Sequence, residues 1–356
     1  MLRVAHVIDS LNLGGTETQC VALVRGLAAR GVASRVVYGH PGPLHERLQV
    51  PHVSSIRLAA RSFRGLGLVR HVRALTRELA AWRPDVVQTY GFYTNLPGLL
   101  AGRLARVPVL VAGKRGYDPH LTARQRRVDA LARRLAHATV VNADAVRAWL
   151  VREEGVRRVH VIPNCVLERG PVTPIEDPVV GMIANFVPPK DHATFLRAAA
   201  RVAVEVPAAE FHCVGGGPGE PAARALADEL GLVARVRFLG RLAPDDVWLA
   251  LGRFGVSVLS SLSEGMPNAV LEAMLAARPV VATRVPGMDE VVRDGVTGHL
   301  VPPRDPLALA AAVTQLLKDP GSAVRMGAAG RARALAAHGP DRMVDDFLRL
   351  WRALAP

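Results

Sequence analysis

Two carboxylates bracket the stretch of this sequence that holds the most chemistry. Glu264 and Glu272 have seven residues between them, in the run Ser263, Glu264, Gly265, Met266, Pro267, Asn268, Ala269, Val270, Leu271, Glu272. Proline lacks an N–H and so suits the first turn of a helix, where that donor has no partner. Pro267 therefore predicts a helix over residues 267–277. Glu264 then lies in the loop ahead, and Glu272 about a turn and a half inside, on the face shared with Asn268. Ala269, Ala273 and Ala276 leave room for close approach to the helix. N–H groups near Asn268 to Leu271 would face an anion. One carboxylate precedes that anion position and one follows it, which is the order of sugar hydroxyls, diphosphate and ribose diol in a nucleotide-sugar. A carboxylate can accept two hydrogen bonds from a diol. The same spacing also suits a solvent-facing Glu and a helix-start Glu; the Ser, Gly, Pro and Asn around the pair favour ligand binding.

Other residues point to the same chemistry. Lysine occurs only at Lys114, Lys190 and Lys318, among 45 Lys and Arg. Lys190 follows an expected strand through the loop from Asn185 to Pro189 and sits just before an expected helix, where capping needs no cation. Its ammonium could neutralise a departing diphosphate; the plainer reading is a surface lysine. Gly14 and Gly15 follow the first expected strand, and a loop without Cβ atoms can bring backbone N–H groups close to a pyrophosphate. Gly215, Gly216 and Gly217 run straight into Pro218, the wrong spacing for a dinucleotide fingerprint. No Asp-x-Asp pair follows a strand end, so neither a metal nor another cofactor is expected. No Ser-His-Asp, Cys-His or zinc pattern stands out. Cys20, Cys165 and Cys213 lie far apart and read as small core residues of a reduced compartment.

The elements that must position these residues alternate. Apolar segments at 3–8, 35–38, 85–89, 107–112, 139–142 and 159–163 read as strands, with a helix over 16–30 and helical patterns between the others. The alternation pauses at 167–178, which holds Pro171, Pro174 and Pro178 and reads as a linker. A second series follows, with strands at 179–184, 210–214, 236–239, 256–259, 279–283 and 299–301. Its helices are expected at 191–205, 220–230, 244–251, 267–277, 307–318 and 322–337, and a last one at 341–353. This order predicts an α/β fold of two doubly wound, Rossmann-like domains at 1–172 and 173–338. Residues 339–356 form a closing helix expected to pack back toward the first domain. Ligands of such sheets bind at the carboxyl ends of the strands, where loops and helix starts converge.

The Glu264 to Glu272 segment resembles the Glu-x7-Glu motif of the family-4 retaining glycosyltransferases. The resemblance runs nearly end to end. Gly14, Gly15, Thr16 and Glu17 resemble the family's Gly-Gly-x-Glu loop, and Val161, Ile162, Pro163 and Asn164 its segment before the linker. The glycines 215–217 resemble its Gly-rich turn; Arg237, Phe238, Leu239 and Gly240, and the run from Asp294 to Gly298, match further landmarks. The resemblance implies a GT-B fold, a UDP- or GDP-sugar donor in the C-terminal half, and transfer with retention of anomeric configuration. It assigns Glu264 to the transferred sugar and Glu272 to the ribose, with Glu264 and Lys190 catalytic. The implied donor set is Gly15, Asn185, Lys190, Gly215, Glu264, Gly265, Met266, Asn268, Ala269, Val270 and Glu272. The chain departs from the family twice. Asn185 stands where an Arg usually precedes the lysine, and Lys114 or Arg115 stands near the place of an acceptor-side His.

Charge adds a partner. Residues 1–172 hold 26 Lys and Arg against 11 Asp and Glu, whereas residues 173–356 hold 19 against 20. Arg64, Arg70, Arg73 and Arg77, then Arg124, Arg126, Arg127, Arg133 and Arg134, fall on helical stretches. Arg-rich codon usage with solvated helix faces is the bland explanation, but it would act on both halves. The asymmetry predicts an anionic partner of the first half, either an anionic or lipid-linked acceptor or the inner face of the cytoplasmic membrane met peripherally. No run is long and apolar enough to span a bilayer, and the first strand begins almost at Met1, so a cytoplasmic enzyme is expected. Aromatics are 4%, without the aromatic and basic interleaving of a nucleic-acid binder, and no nucleic-acid partner is expected. The rival readings are a nucleotide-sugar epimerase on the same fold and, further off, a nucleic-acid-binding protein.

Overall fold

The computed structural model describes residues 1–58, 65–117 and 121–355. In chain order the elements of the first half are β1 (Arg3–Ser10), α1 (Gly15–Ala29), β2 (Ala33–His40), β3 (Val53–Arg57), α2 (Gly65–Trp82), β4 (Val86–Thr89), α3 (Phe92–Leu104), β5 (Val109–Lys114), α4 (Ala123–Arg133), β6 (Ala138–Val141), α5 (Asp144–Glu154) and β7 (Val159–Val161). The second half holds β8 (Val179–Ile183), α6 (His192–Glu205), β9 (Glu210–Val214), α7 (Glu220–Glu229), β10 (Val236–Gly240), α8 (Pro244–Arg253), β11 (Val256–Leu259), α9 (Asn268–Leu275), β12 (Val280–Thr283), α10 (Met288–Val291), β13 (Gly298–Val301), α11 (Pro306–Lys318) and α12 (Pro320–His338), before the closing α13 (Pro340–Leu354).

The chain divides into two compact units, Met1–Cys165 with Pro340–Pro356, and Val166–Gly339. Each carries one parallel sheet. The first has the order β3-β2-β1-β4-β5-β6-β7 and the second β10-β9-β8-β11-β12-β13. The central strands read as apolar runs because helices cover both faces: Val280, Val281 and Ala282 are fully buried, as are Leu110, Val111 and Ala112. Strand order reverses between β1 and β4 in one sheet and between β8 and β11 in the other. At such a switch point the loops leaving two neighbouring strands part to opposite faces and open a crevice at their carboxyl ends.

The expected strands and helices are present with ends shifted by a few residues, and the four-residue α10 and the strand β3 are additions. The β3 sequence, Val53 to Arg57, is only half apolar and half buried, so pairing with β2 decides its form rather than hydrophobic patterning. The stretch read as a linker lies on the second unit. The buried Arg278 guanidinium donates to the carbonyl oxygens of Thr173 and Pro174, and the Thr173 hydroxyl donates to Gly252 O at 2.8 Å. These bonds tie the proline-rich segment to that unit's core. The closing α13 is amphipathic, with Val344, Phe347 and Trp351 buried. It lies on α1 of the first unit, where Gly26 provides the space: a Cβ there would meet Val344 Cγ2 at 2.5 Å. Arg30 pairs with Asp341 at 2.9 Å and with Asp345. Cys20, Cys165 and Cys213 are free and buried. No helix among the described residues is long and apolar enough to cross a membrane.

Candidate active site

The second unit brings Lys190 and Glu264 together across its switch point. Lys190 ends a short 3-10 turn, Pro188–Lys190, in the loop leaving β8. Asp191 follows in the left-handed region (φ 46°) and caps α6 by accepting from Thr194 N at 3.3 Å. Glu264 lies in the loop leaving β11, the strand next to β8. The Lys190 ammonium reaches Glu264 Oε1 at 2.5 Å. The Ser261 hydroxyl donates to the same oxygen at 2.6 Å, and Glu264 is 9% exposed against 26% for Lys190. Both interactions fall on Oε1, which leaves Oε2 to accept from a ligand hydroxyl. The two loops are stitched together: Leu262 N donates to Pro189 O at 2.7 Å, and Ser260 Oγ to Asp191 O at 2.9 Å. Sequence reasoning missed Ser260 and Ser261, although two serines directly after a buried strand are a readable signal for loop anchoring.

Glycine is required where these loops touch their neighbours. Gly215, at the carboxyl end of β9, has φ +142°, and a Cβ there would lie 2.0 Å from Ala184 O. Gly216 O accepts from Phe186 N at 3.2 Å, so the Gly-rich turn rests on the loop that carries Asn185. Asn185 itself is exposed. Gly287 (φ +86°) plays the same part below Glu264, since a Cβ there would meet Gly265 O at 2.0 Å. Met266 is buried and Gly265 packed, so both shape the loop.

Helix α9 begins at Asn268, one residue later than the sequence predicts, because Pro267 takes extended backbone (ψ 95°) and acts as the N-cap. Pro267 O accepts from Val270 N at 3.1 Å and from Leu271 N at 3.2 Å. Two of the four N–H groups expected to face an anion are therefore occupied, and the donors for a ligand shift to the helix start, at Ala269. Glu272 sits one turn further along, partly exposed. Its carboxyl is pushed up to about 7 by burial, with Arg169 acting in the opposite direction. Arg169 in turn holds Asp245 at 3.0 Å.

In the first unit Gly15 opens α1 and is exposed. The Glu17 carboxylate folds back over Gly14, where a Cβ would meet Glu17 Oε2 at 2.3 Å, and accepts from Ser10 Oγ at 2.9 Å. Burial pushes that carboxyl's pKa up. Lys114 is not presented to an acceptor. It is the last residue of β5, 1% exposed, with its ammonium 3.9 Å from Asp129 Oδ2 and 5.5 Å from the Trp149 ring. Asp129 also pairs with Arg133 and accepts from Asn95 Nδ2 at 2.8 Å, so Lys114 belongs to a buried structural network. Arg133, expected on a charged surface, is buried between Asp129 and Glu154. Arg115, one residue beyond β5, is partly exposed. Arg64 lies outside the described residues. No group of three or more His, Cys, Asp or Glu that could hold a metal gathers among the described residues.

Both halves of the chain are similar to known proteins. Residues 13–167 match the family described as Glycosyltransferase Family 4, and residues 177–319 match Glycosyl transferases group 1. The chain is 32% identical to a D-inositol 3-phosphate glycosyltransferase of Geodermatophilus obscurus, over 96% of this chain and 85% of that one. It is 28% identical to the lipopolysaccharide core biosynthesis glycosyltransferase LpsE of Rhizobium meliloti, over 95% of each. The structure of Anabaena HepE in complex with UDP and glucose superposes with a TM-score of 0.87 at 20% identity, covering 99% of this chain and all of that one. The fold is thus that of the GT-B glycosyltransferases. The chain belongs to the group 1, family 4 glycosyltransferases, and it is a sugar-transferring enzyme.

Proposed function

We propose that this enzyme transfers a sugar from a UDP- or GDP-sugar to an acceptor, with retention of configuration, in the assembly of a cell-surface polysaccharide or glycolipid. The observation that carries the reading is the Lys190–Glu264 pair at the switch point of the second unit, with the start of α9 and Glu272 close behind it in sequence. The donor diphosphate takes the Lys190 ammonium and the N–H groups at the start of α9. Glu264 holds the sugar through a hydroxyl, and Glu272 accepts from the ribose diol. As the bond from the anomeric carbon to phosphate breaks, charge grows on the diphosphate, and a fixed cation lowers the energy of that state. The acceptor hydroxyl attacks from the side the diphosphate leaves, and its proton passes to a departing phosphate oxygen. The HepE structure, which contains UDP, and the LpsE relative, a lipopolysaccharide core enzyme, support the donor and pathway class.

A thermal-shift panel of nucleoside diphosphates tests the donor. A true ligand at a hundredfold excess over its Kd adds roughly 2.7 kcal/mol to stability. Glu264→Ala should lower turnover far more than it weakens binding of the bare nucleoside diphosphate. If no nucleoside diphosphate raises the melting temperature, the reading fails. Epimerised free donor without transfer to any acceptor would favour the epimerase alternative.

The first unit is proposed to meet an anionic surface, the inner leaflet of the cytoplasmic membrane. Arg70, Arg73 and Arg77 share one exposed face of α2, and Leu66 and Val69 at its start are 74% and 46% exposed. Each basic residue held near such a leaflet contributes roughly 1 kcal/mol, and a few together suffice for reversible binding.

A further inference from the structure

Among the described residues the guanidinium of Arg115 has no carboxylate counter-charge. It follows β5 at the carboxyl end of the first sheet, where ligands of such sheets bind. Its one side-chain hydrogen bond goes to an amide, Asn164 Oδ1, at 2.8 Å, and it lies 5.8 Å above the Tyr90 ring. The backbone is fixed as well, since Asn142 Nδ2 donates to Arg115 O at 3.2 Å. The titratable groups facing it are the Tyr90 phenol and the Cys20 and Cys165 thiols. Burial keeps all three neutral, with both thiols pushed up to about 12 and the phenol well above its usual value. Among the described residues no carboxylate pairs with Arg115. In the same unit Arg35 pairs with Glu78, and the buried Arg133 with Asp129 and Glu154.

A half-buried cation without an anion is costly, because it has lost water and gained no opposite charge. Its own pKa is lowered by that burial. An arginine presents five N–H donors in a planar fork that matches an oxyanion. Among the described residues one of these donors is used, on Asn164 Oδ1, and the side chain remains partly open to solvent.

We infer that Arg115 is the anchor for an oxyanion of the substrate, a phosphate or carboxylate group, clamped by its free donors. The oxyanion is carried by the acceptor. This inference rests on the proposed sugar transfer and names the charge that the first unit recognises.

Calorimetry and thermal unfolding on the full chain test it, comparing wild type, Arg115→Met, Arg115→Lys and the control Arg134→Met. The probes are inorganic phosphate, UDP, and phosphate added to UDP-saturated protein. Without ligand, Arg115→Met should melt at or above the wild-type temperature, because an unpaired cation has been removed. Its affinity for phosphate should fall at least tenfold, Arg115→Lys should lie between, and Arg134→Met should match wild type. A UDP affinity that falls tenfold alongside would overturn the assignment to the acceptor. A UDP affinity that is kept, with the phosphate response of UDP-saturated protein lost, assigns the acceptor. Phosphate and UDP affinities of both Arg115 variants within twofold of wild type would overturn the inference. So would a large drop in melting temperature without ligand, which would mean that the charge is already paired inside the protein. Wild-type binding of UDP is read in the same experiment, so failure of the donor reading is seen separately.

Discussion

Replacing Glu272 with Gln should make the protein more stable as the pH rises, by an amount that depends on pH in a defined way. The Glu272 carboxyl has a usual value of 4.5 and is pushed up to about 7 in the fold. Between those two values the folded chain keeps a proton that the unfolded chain has released. Stability therefore falls as pH rises through that window, and is fully present only below about 4.5. At about 1.36 kcal/mol per pKa unit, the shift corresponds to at most on the order of 3 kcal/mol. Partial exposure of the side chain screens the effect, and about 1–2 kcal/mol is the working expectation. His6 and His192 act with the opposite sign. Burial lowers them to about 3 and about 4, so they cost stability as pH falls below 6.5. The difference between wild type and Glu272→Gln cancels their contribution. Melting curves of the two proteins from pH 5 to pH 8 should nearly coincide at the acid end and separate by roughly 3–6 °C at the alkaline end, with the variant higher. The same substitution should weaken nucleotide binding most above pH 7, where the wild-type carboxylate accepts from both ribose hydroxyls. A melting difference that does not vary with pH, or one that grows toward acid, would refute the reasoning.

Sugar transfer should persist in excess EDTA, since Lys190 and the start of α9 supply the charge a metal would bring; complete loss with rescue by manganese would overturn that assignment. Gly215→Ala should destabilise the second unit by several kcal/mol, because its Cβ would lie 2.0 Å from Ala184 O at a φ of +142°. A melting temperature within 1–2 °C of wild type, about the shift expected for well under 1 kcal/mol, would show that the turn can yield. Co-sedimentation with anionic liposomes should exceed that with neutral ones at low salt and fade as screening shortens to about 8 Å at physiological ionic strength. Equal recovery on both kinds of vesicle would leave a soluble anionic acceptor as the better reading.

The order of strands and helices was legible in the sequence because each reports a local period. Buried parallel strands read as short apolar runs, and helices as 3.6-residue patterns ended by Gly or Pro. Glu264, Glu272 and Lys190 were legible because a rare lysine and two glutamates stand beside residues that shape loops and helix starts. Strand β3 was not, since a half-apolar edge segment owes its form to pairing with β2. Nor were the partners of each charge. Lys114 and Arg115 are adjacent in sequence and were read as equivalent, yet alternate residues at a strand end point to opposite sides. One enters a buried network with Asp129, and the other stays partly open beside Asn164. Likewise 74 positions separate Lys190 from Glu264. They meet only because β8 and β11 lie side by side where the strand order reverses. Local sequence carries residue type and element; which charges come within hydrogen-bonding reach depends on sheet order and burial, and those are properties of the folded chain as a whole.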